Sequence, residues 1–280
     1  MENSQKKLGI IAGGGTLPRR LISYCQENQR PFFVLAVEGN AETDLVNENI
    51  PHIWLRLGQA GTGFKRMAKE NVEEVVMIGT IRRPSFKDII PDLRTTAFLA
   101  KVSTKALGDD GLLRAIIKEI ENEKMRVVGI QEVMKDLLAK SGCLTKKKPS
   151  KTDLIDIKRG AQVAFELGRM DVGQSVVVQE GLVLGVEGIE GTDELIKRCG
   201  GYKRKGSGGV LVKLRKPQQD MRIDLPTIGS RTLENAKNSG LNGLAVHSGN
   251  TLIVDEEEVI KTADKLGMFI VGIEPGDYLE

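Results

Sequence analysis

The residues LGIIAGGGTLP (8–18) decide the fold of the first half of the chain. A short apolar run ends in three consecutive glycines, and Leu17 then opens a stretch of helical spacing through Gln26. A strand that turns on glycines into a helix is the opening unit of a parallel α/β sheet. Reading outward, PFFVLAVEG (31–39) and HIWLRLG (52–58) are the next strands, FKRMAKEN (64–71) a helix and VVMIGTI (75–81) a strand. GDDGLLRAIIKEIENE (108–123) has helical periodicity, with residues 112, 113, 116, 117 and 120 on one apolar face. RVVGIQEVM (126–134) closes this half as a strand and its exit. Alternation of this kind implies parallel strands, because each pair needs a crossover connection.

Glycines at such a turn let the backbone approach a phosphate, and the helix start offers free N–H groups with a favourable dipole. Gly13, Gly14 and Gly15 are therefore candidate ligand contacts, in a Rossmann-like sheet. The dinucleotide fingerprint G-x-G-x-x-G is broken, since Pro18 stands where its third glycine belongs. Glu38, at the end of the second strand, would suit a ribose hydroxyl, but the broken fingerprint argues against a nicotinamide cofactor. A phosphate or nucleotide contact of another kind is favoured over a purely structural turn. GTIRRPSF (79–86) should emerge on the same sheet edge, where Arg82 and Arg83 could hold a diphosphate by bidentate hydrogen bonds. A solvated basic turn before Pro84 is the equal alternative.

The second half begins after SGCLTKKKPSKTD (141–153), an aperiodic stretch read as a linker, with a phosphate-binding basic loop as the alternative. The expected domains are thus 1–140, a linker at 141–152, and 153–280. LIDIKRGAQVAFELGRM (154–170) is a helix, and SVVVQEGLVLGVEGIE (175–190) a hairpin about Glu180-Gly181. A helix starts near Thr192, capped by Thr192 or Asp193, and GVLVKLR (209–215) and IDLPTIG (223–229) are strands. SRTLENAKNSG (230–240) reads as a Ser-capped helix, and two further strands, a helix from Glu256 and MFIVGIEP (268–275) complete a mixed α/β domain.

Composition narrows the function. The 280 residues are 40% apolar and 28% charged with a net charge of +3, too weak a bias for nucleic acid. Two histidines exclude a histidine-rich metal centre, and three scattered cysteines form no metal or redox pair. No apolar run reaches membrane-span length, and the polar start Met1–Lys7 is no signal peptide, so a cytoplasmic protein is expected.

The most unusual stretch is KLRKPQQDMRIDLPTIG (213–229). In a strand, Asp220, Arg222 and Asp224 would share one face. Two carboxylates beside a cation suit phosphate-ester chemistry on a divalent ion, but spacing alone slightly favours a surface ion-pair ladder. GDDG (108–111) and EGTDE (190–194) carry carboxylates at helix starts, where capping alone accounts for them.

Together these segments resemble the UDP-2,3-diacylglucosamine pyrophosphatases of the LpxI type over essentially the whole chain. The carrying motifs are GIIAGGGTLP (9–18), Arg83-Pro84, GDDGLLR (108–114), DVGQSVVVQEGLVLGVEGIEGTDELI (171–196) and KPQQDMRIDLPTIG (216–229). The resemblance implies two domains with a ligand cleft between them. It also implies magnesium-dependent hydrolysis of the nucleotide-sugar lipid to UMP and 2,3-diacylglucosamine 1-phosphate, on the cytoplasmic side of the inner membrane. It places the essential aspartate at Asp224, which would either bind the metal or orient the attacking water. It leaves Asp220 as a further candidate metal ligand, at a position where family members also carry Glu. It makes Gly13, Gly14, Gly15, Thr80, Arg83, Gly191, Thr192, Asp193 and Lys213 substrate contacts. Peripheral membrane contact and a homodimer are compatible with it. His247 departs from the pattern, standing where an acidic residue is expected, and reads as a surface difference. A calcineurin-like competitor needs more histidines than the chain has, and the Nudix pattern REx2EE is absent. The alternative to an enzyme is a non-hydrolytic binder of nucleotide-sugar lipids.

Overall fold

The computed structural model describes residues 5–81, 91–101, 109–222 and 225–279. They form two compact units, residues 1–135 and 136–280. In the first unit, β1 (Leu8–Ala12), β2 (Phe32–Val37), β3 (His52–Leu55), β4 (Glu74–Ile78) and β5 (Arg126–Val127) make one parallel sheet in the order β3-β2-β1-β4-β5. The run FFVLAV of β2 is buried at every position, as expected of a strand covered on both faces. Helices α1 (Leu17–Glu27), α2 (Ala60–Lys69), α3 (Leu93–Lys101) and α4 (Asp109–Asn122) fill the connections, and α4 buries Ile117 and Ile120. The expected strand over 126–134 shortens to two residues. Gly129 then starts the short helix α5 (Ile130–Val133), with the Glu132 side chain taking the Gly129 amide at 3.0 Å.

In the second unit a six-stranded mixed sheet has the order β6-β13-β11-β9-β7-β8. Its central strands β9 (Val210–Lys213), β11 (Gly243–His247) and β13 (Phe269–Ile273) are parallel. The outer strands β6 (Gly142–Cys143), β7 (Ser175–Gln179) and β8 (Leu182–Val186) are antiparallel to their neighbours. β10 (Thr227–Ile228) and β12 (Leu252–Ile253) form a separate parallel pair. The β7–β8 hairpin turns where expected: Glu180 (φ 51°) and Gly181 (φ 76°) are both left-handed, the geometry that matches the strand twist.

Residues 141–152, expected as a linker, are tied into this unit. β6 pairs with β13, and the buried Thr145 hydroxyl accepts the Ile270 amide at 3.0 Å. Ser150 caps α6 (Lys151–Arg169): its hydroxyl accepts the Asp153 amide at 3.2 Å, while Asp153 takes the Ser150 amide at 2.8 Å. α6 packs on one sheet face, joining Ile157, Ala161 and Ala164 to Val176, Val178, Val210, Val212 and Leu214. α7 (Thr192–Gly200), α8 (Ser230–Asn238) and α9 (Glu256–Leu266) cover the other face through Leu195, Ile196, Leu233, Ala236, Val259 and Ala263, against Val177, Leu211, Leu244 and Ile270. The result is a three-layer unit with alternate strand residues divided between two cores.

Two expected helix caps move by one residue. Gly191 (φ 80°) is the N-cap of α7 and Gly229 that of α8, so Thr192 and Ser230 are first helical residues. The expected strand over 223–229 is confined to Thr227–Ile228 among the described residues. Asp220, Met221 and Arg222 lie in a loop and turn, so Asp220 and Arg222 do not share a strand face. Pro217 and Pro226 bracket this segment, and proline cannot donate to a ladder. Among the described residues, no helix is long and apolar enough to cross a membrane.

Gly160 sets how closely α6 approaches the sheet. A Cβ there would lie 2.4 Å from Val212 Cγ2 and 2.9 Å from Val212 Cβ. Gly160→Ala gains about 1 kcal/mol of helix propensity but overpacks this contact by about 1–3 kcal/mol. Urea unfolding should therefore show a net loss of stability for Gly160→Ala, and addition of Val212→Ala should recover part of it. A stability gain in the single variant would mean that α6 shifts freely.

Candidate functional site

The first set of expected contacts lies at the carboxyl edge of the first sheet. Chain order reverses between β1 and β4, and the loops after these two strands flank that switch point, where open α/β sheets bind ligands. Gly13, Gly14 and Thr80 are joined to each other rather than held open. The Gly13 amide donates to Ile78 O at 2.8 Å, Gly14 N to Thr80 O at 2.8 Å, and Thr80 N to Gly14 O at 2.9 Å. A Cβ on Gly13 would sit 2.5 Å from Thr80 O, and one on Gly14 2.7 Å from Asn40 O. These two glycines thus serve the approach of two loops, and their amides are already committed. Gly15 (φ 93°) faces open space at the start of α1, where Pro18 has no amide to offer. Glu38 is exposed and paired with Arg56 at 3.0 Å. Arg82 and Arg83 lie outside the described residues.

The second set converges in the second unit. Lys213 is the last residue of β9 and its side chain is only 7% exposed. Pairing registers it with Ser175 on β7, and Glu187, just past β8, donates its amide to Ser175 O at 2.9 Å. Glu187, Ser175 and Lys213 therefore form one row across three adjacent strands, and all three are buried. The Thr192 hydroxyl, at the start of α7, joins them. It donates to Glu187 Oε1 at 2.7 Å and accepts from Lys213 Nζ at 3.0 Å, with Ser175 Oγ 3.3 Å away. Because a hydroxyl has one proton, donation to Glu187 makes Thr192 the acceptor toward Lys213 and Ser175. Lys213 Nζ also donates to Thr227 O at 3.1 Å, and Glu187 Oε2 accepts the Gln174 amide at 3.2 Å.

A buried ammonium is tolerated only when polar groups replace its water shell. Here Thr192 Oγ1 at the start of α7 and Thr227 O in β10 take bonds from the ammonium, and Ser175 and Glu187 hold Thr192 in turn. Gly191 is essential to the corner, since its φ of 80° turns the chain from the β8 exit into α7. Asp193, in the same helical turn, faces Arg231 at 3.3 Å. Thr192 of the motif 190–194 and Lys213 are thus brought together. Ser175, Glu187 and the Thr227 carbonyl were missed. Their signal was weak: a polar residue in phase with the inward Val177, and an acid directly after a strand.

Asp224 lies outside the described residues, three positions before Thr227 in the chain. Asp220 is held by Arg222, with Nε to Oδ1 at 3.0 Å and Nη2 to Oδ2 at 2.7 Å. Among the described residues no group of three or more His, Cys, Asp or Glu side chains could hold a metal ion. His247 ends β11 and is half-buried rather than on the surface, with Nδ1 lacking a partner. Burial pushes its pKa down, offset in part by Glu274.

Residues 7–137 match the family profile described as LpxI N-terminal domain, and residues 140–271 that described as LpxI C-terminal domain. The chain is 39% identical over 277 residues to UDP-2,3-diacylglucosamine pyrophosphatase LpxI of Caulobacter vibrioides, covering 96% of this chain and 98% of that protein.

The bridging role of Thr192 is testable by stability alone. Thr192→Val keeps the shape but leaves Glu187 and Lys213 each one partner short, at a cost of about 1–3 kcal/mol. Thr192→Ser should retain most of the wild-type stability. Equal unfolding midpoints for the wild type and the valine variant would show that the hydroxyl bridge contributes nothing.

Proposed function

Because the chain belongs to the LpxI family, we propose that it hydrolyses the diphosphate of UDP-2,3-diacylglucosamine in lipid A biosynthesis, at the cytoplasmic face of the inner membrane. Water adds to one phosphorus, the bridging P–O bond breaks, and UMP and 2,3-diacylglucosamine 1-phosphate leave as two monoesters. The observation that carries this reading is the buried Lys213 ammonium, fixed beside the amino end of α7 at the carboxyl edge of a parallel strand.

A diphosphate repels an incoming nucleophile, so catalysis needs preorganised positive charge on the nonbridging oxygens. Lys213 supplies such a charge, and its fixed partners remove the cost of orienting it during reaction. Glu187 acts at one remove, holding the Thr192 hydroxyl so that its oxygen faces Lys213. The amides that open α7, turned by Gly191, offer donors to an anion, while Asp193 and Glu194 are occupied by Arg231 and Lys197. Gly15 and Arg83 are proposed contacts for the rest of the substrate.

Magnesium is bound through one or two carboxylates together with substrate phosphates and water, so a preformed protein cage is not required. Asp224 would hold it, and the ion would supply electrophilic support to the diphosphate. The same carboxylate could instead orient the attacking water.

Incubation of the pure protein with UDP-2,3-diacylglucosamine and magnesium, followed by mass analysis, should give both monoesters. Binding without turnover would make the chain a carrier of nucleotide-sugar lipids instead. Excess chelator should abolish hydrolysis and magnesium restore it; full activity in chelator would remove the metal. Asp224→Ala should leave a folded protein that binds substrate and turns it over at least ~100-fold more slowly. Near-normal single-turnover rates in that variant would end the assignment. Lys213→Ala should weaken transition-state binding by roughly 1.5–3 kcal/mol, read as a fall in kcat/KM. Unchanged kinetics would leave Lys213 a structural cation.

A further inference from the structure

The second unit has a strongly basic edge that the Lys213 row does not use. Two basic tripeptides, Lys146-Lys147-Lys148 and Lys203-Arg204-Lys205, are far apart in the chain, and all six side chains are exposed. None of the six forms an ion pair among the described residues. The turn at 240–242 brings the two runs together. Lys147 Nζ donates to Asn242 O at 3.4 Å, and a Cβ built on Gly240 would meet Lys203 Nζ at 2.4 Å. Asn242 Nδ2 also donates to Asp153 Oδ1 at 2.9 Å and to Ser207 Oγ at 3.1 Å, binding the first turn of α6 to the loop after the second run.

Both runs are anchored by their backbones, and their side chains remain exposed. The fully buried Gln179 side chain takes the Arg204 amide at 2.9 Å and donates to Arg204 O at 3.0 Å. Asp264 takes the Lys146 amide at 2.9 Å, and Glu180 that of Ser207 at 3.2 Å, so these two acids are directed at backbone amides. Three large apolar residues of the adjoining segments stand exposed: Tyr202 at 62%, directly before the second run, and Ile155 at 61% and Leu154 at 47% near the start of α6. The edge lies at the amino ends of β9, β11 and β13, the strand end opposite Lys213.

We propose that this edge docks on an anionic lipid surface. Lysine and arginine meet the headgroup phosphates, and Tyr202, Leu154 and Ile155 enter the headgroup–acyl boundary. Single-stranded nucleic acid is the weaker match, because it requires several aromatic platforms among the cations and here there is one tyrosine. The inference rests on the inner-membrane location proposed above and goes beyond it by naming, from charge and exposure, the surface that meets the lipid.

The test is sedimentation of the full chain with vesicles of phosphatidylcholine, alone or mixed with phosphatidylglycerol. Binding should appear only with the anionic lipid and fall steeply with added salt. The variant Lys203→Glu/Lys205→Glu should bind the mixed vesicles at least about tenfold more weakly, with an unchanged thermal transition and unchanged turnover of detergent-dispersed substrate. Lys65→Glu/Lys69→Glu in the first unit, which makes the same change in net charge, should bind as the wild type does. The proposal fails if phosphatidylcholine alone binds equally well or if both variants lose binding alike. It fails too if the chain binds single-stranded RNA and not the vesicles.

Discussion

A lysine ammonium buried at the end of a core strand is the constraint around which the second unit is arranged. Withdrawing that charge from water is affordable only where protein oxygens stand at hydrogen-bond distance. Thr192 Oγ1 at 3.0 Å and Thr227 O at 3.1 Å do so, and each belongs to a different element. The first fixes where α7 begins relative to β9, and the second fixes the path of the chain entering β10. Glu187 and Ser175 then follow from the sheet register, since pairing sets them beside Lys213 in one row. A charge bonded to two separate segments is also one that need not reorganise when an anion arrives, which is the condition for electrostatic catalysis.

The first unit treats its glycines differently. The three at 13–15 look equivalent in the sequence, yet two of them are used inside the protein. Gly13 and Gly14 let the β1 and β4 loops touch, with amides bonded to Ile78 and Thr80. Only Gly15 keeps both a left-handed backbone and open space around it. The phosphate-turn reading of the motif therefore narrows from three residues to one, because a close loop–loop contact and a ligand contact compete for the same amides.

Charge in the second unit is sorted between the two ends of its parallel strands. At the carboxyl end Lys213 is enclosed and bonded to Thr192 and Thr227. At the amino end Lys146–Lys148 and Lys203–Lys205 have anchored backbones and exposed side chains. The three-layer packing separates the two, since the buried faces of β9 and β11 lie between them.

The sequence by itself determined the element types, because hydrophobic period is a local property. Continuous apolar runs such as FFVLAV became parallel strands, and Glu180-Gly181 turned the hairpin. The periodic stretches read at 108–123 and 154–170 became the helices 109–122 and 151–169. It also singled out Lys213 and the motif 190–194, and it carried the resemblance that the family matches bear out. Caps slipped by one residue at Gly191 and Gly229, where glycine conformation overrode side-chain preference. The stretch 141–152 read as a linker because its bonds run to Ile270 and Asp264, far along the chain. Only the tertiary structure could set Glu187 and Ser175 beside Lys213, or bring two lysine runs to one edge. Register and loop convergence depend on contacts between distant residues, and no local pattern of side chains encodes them.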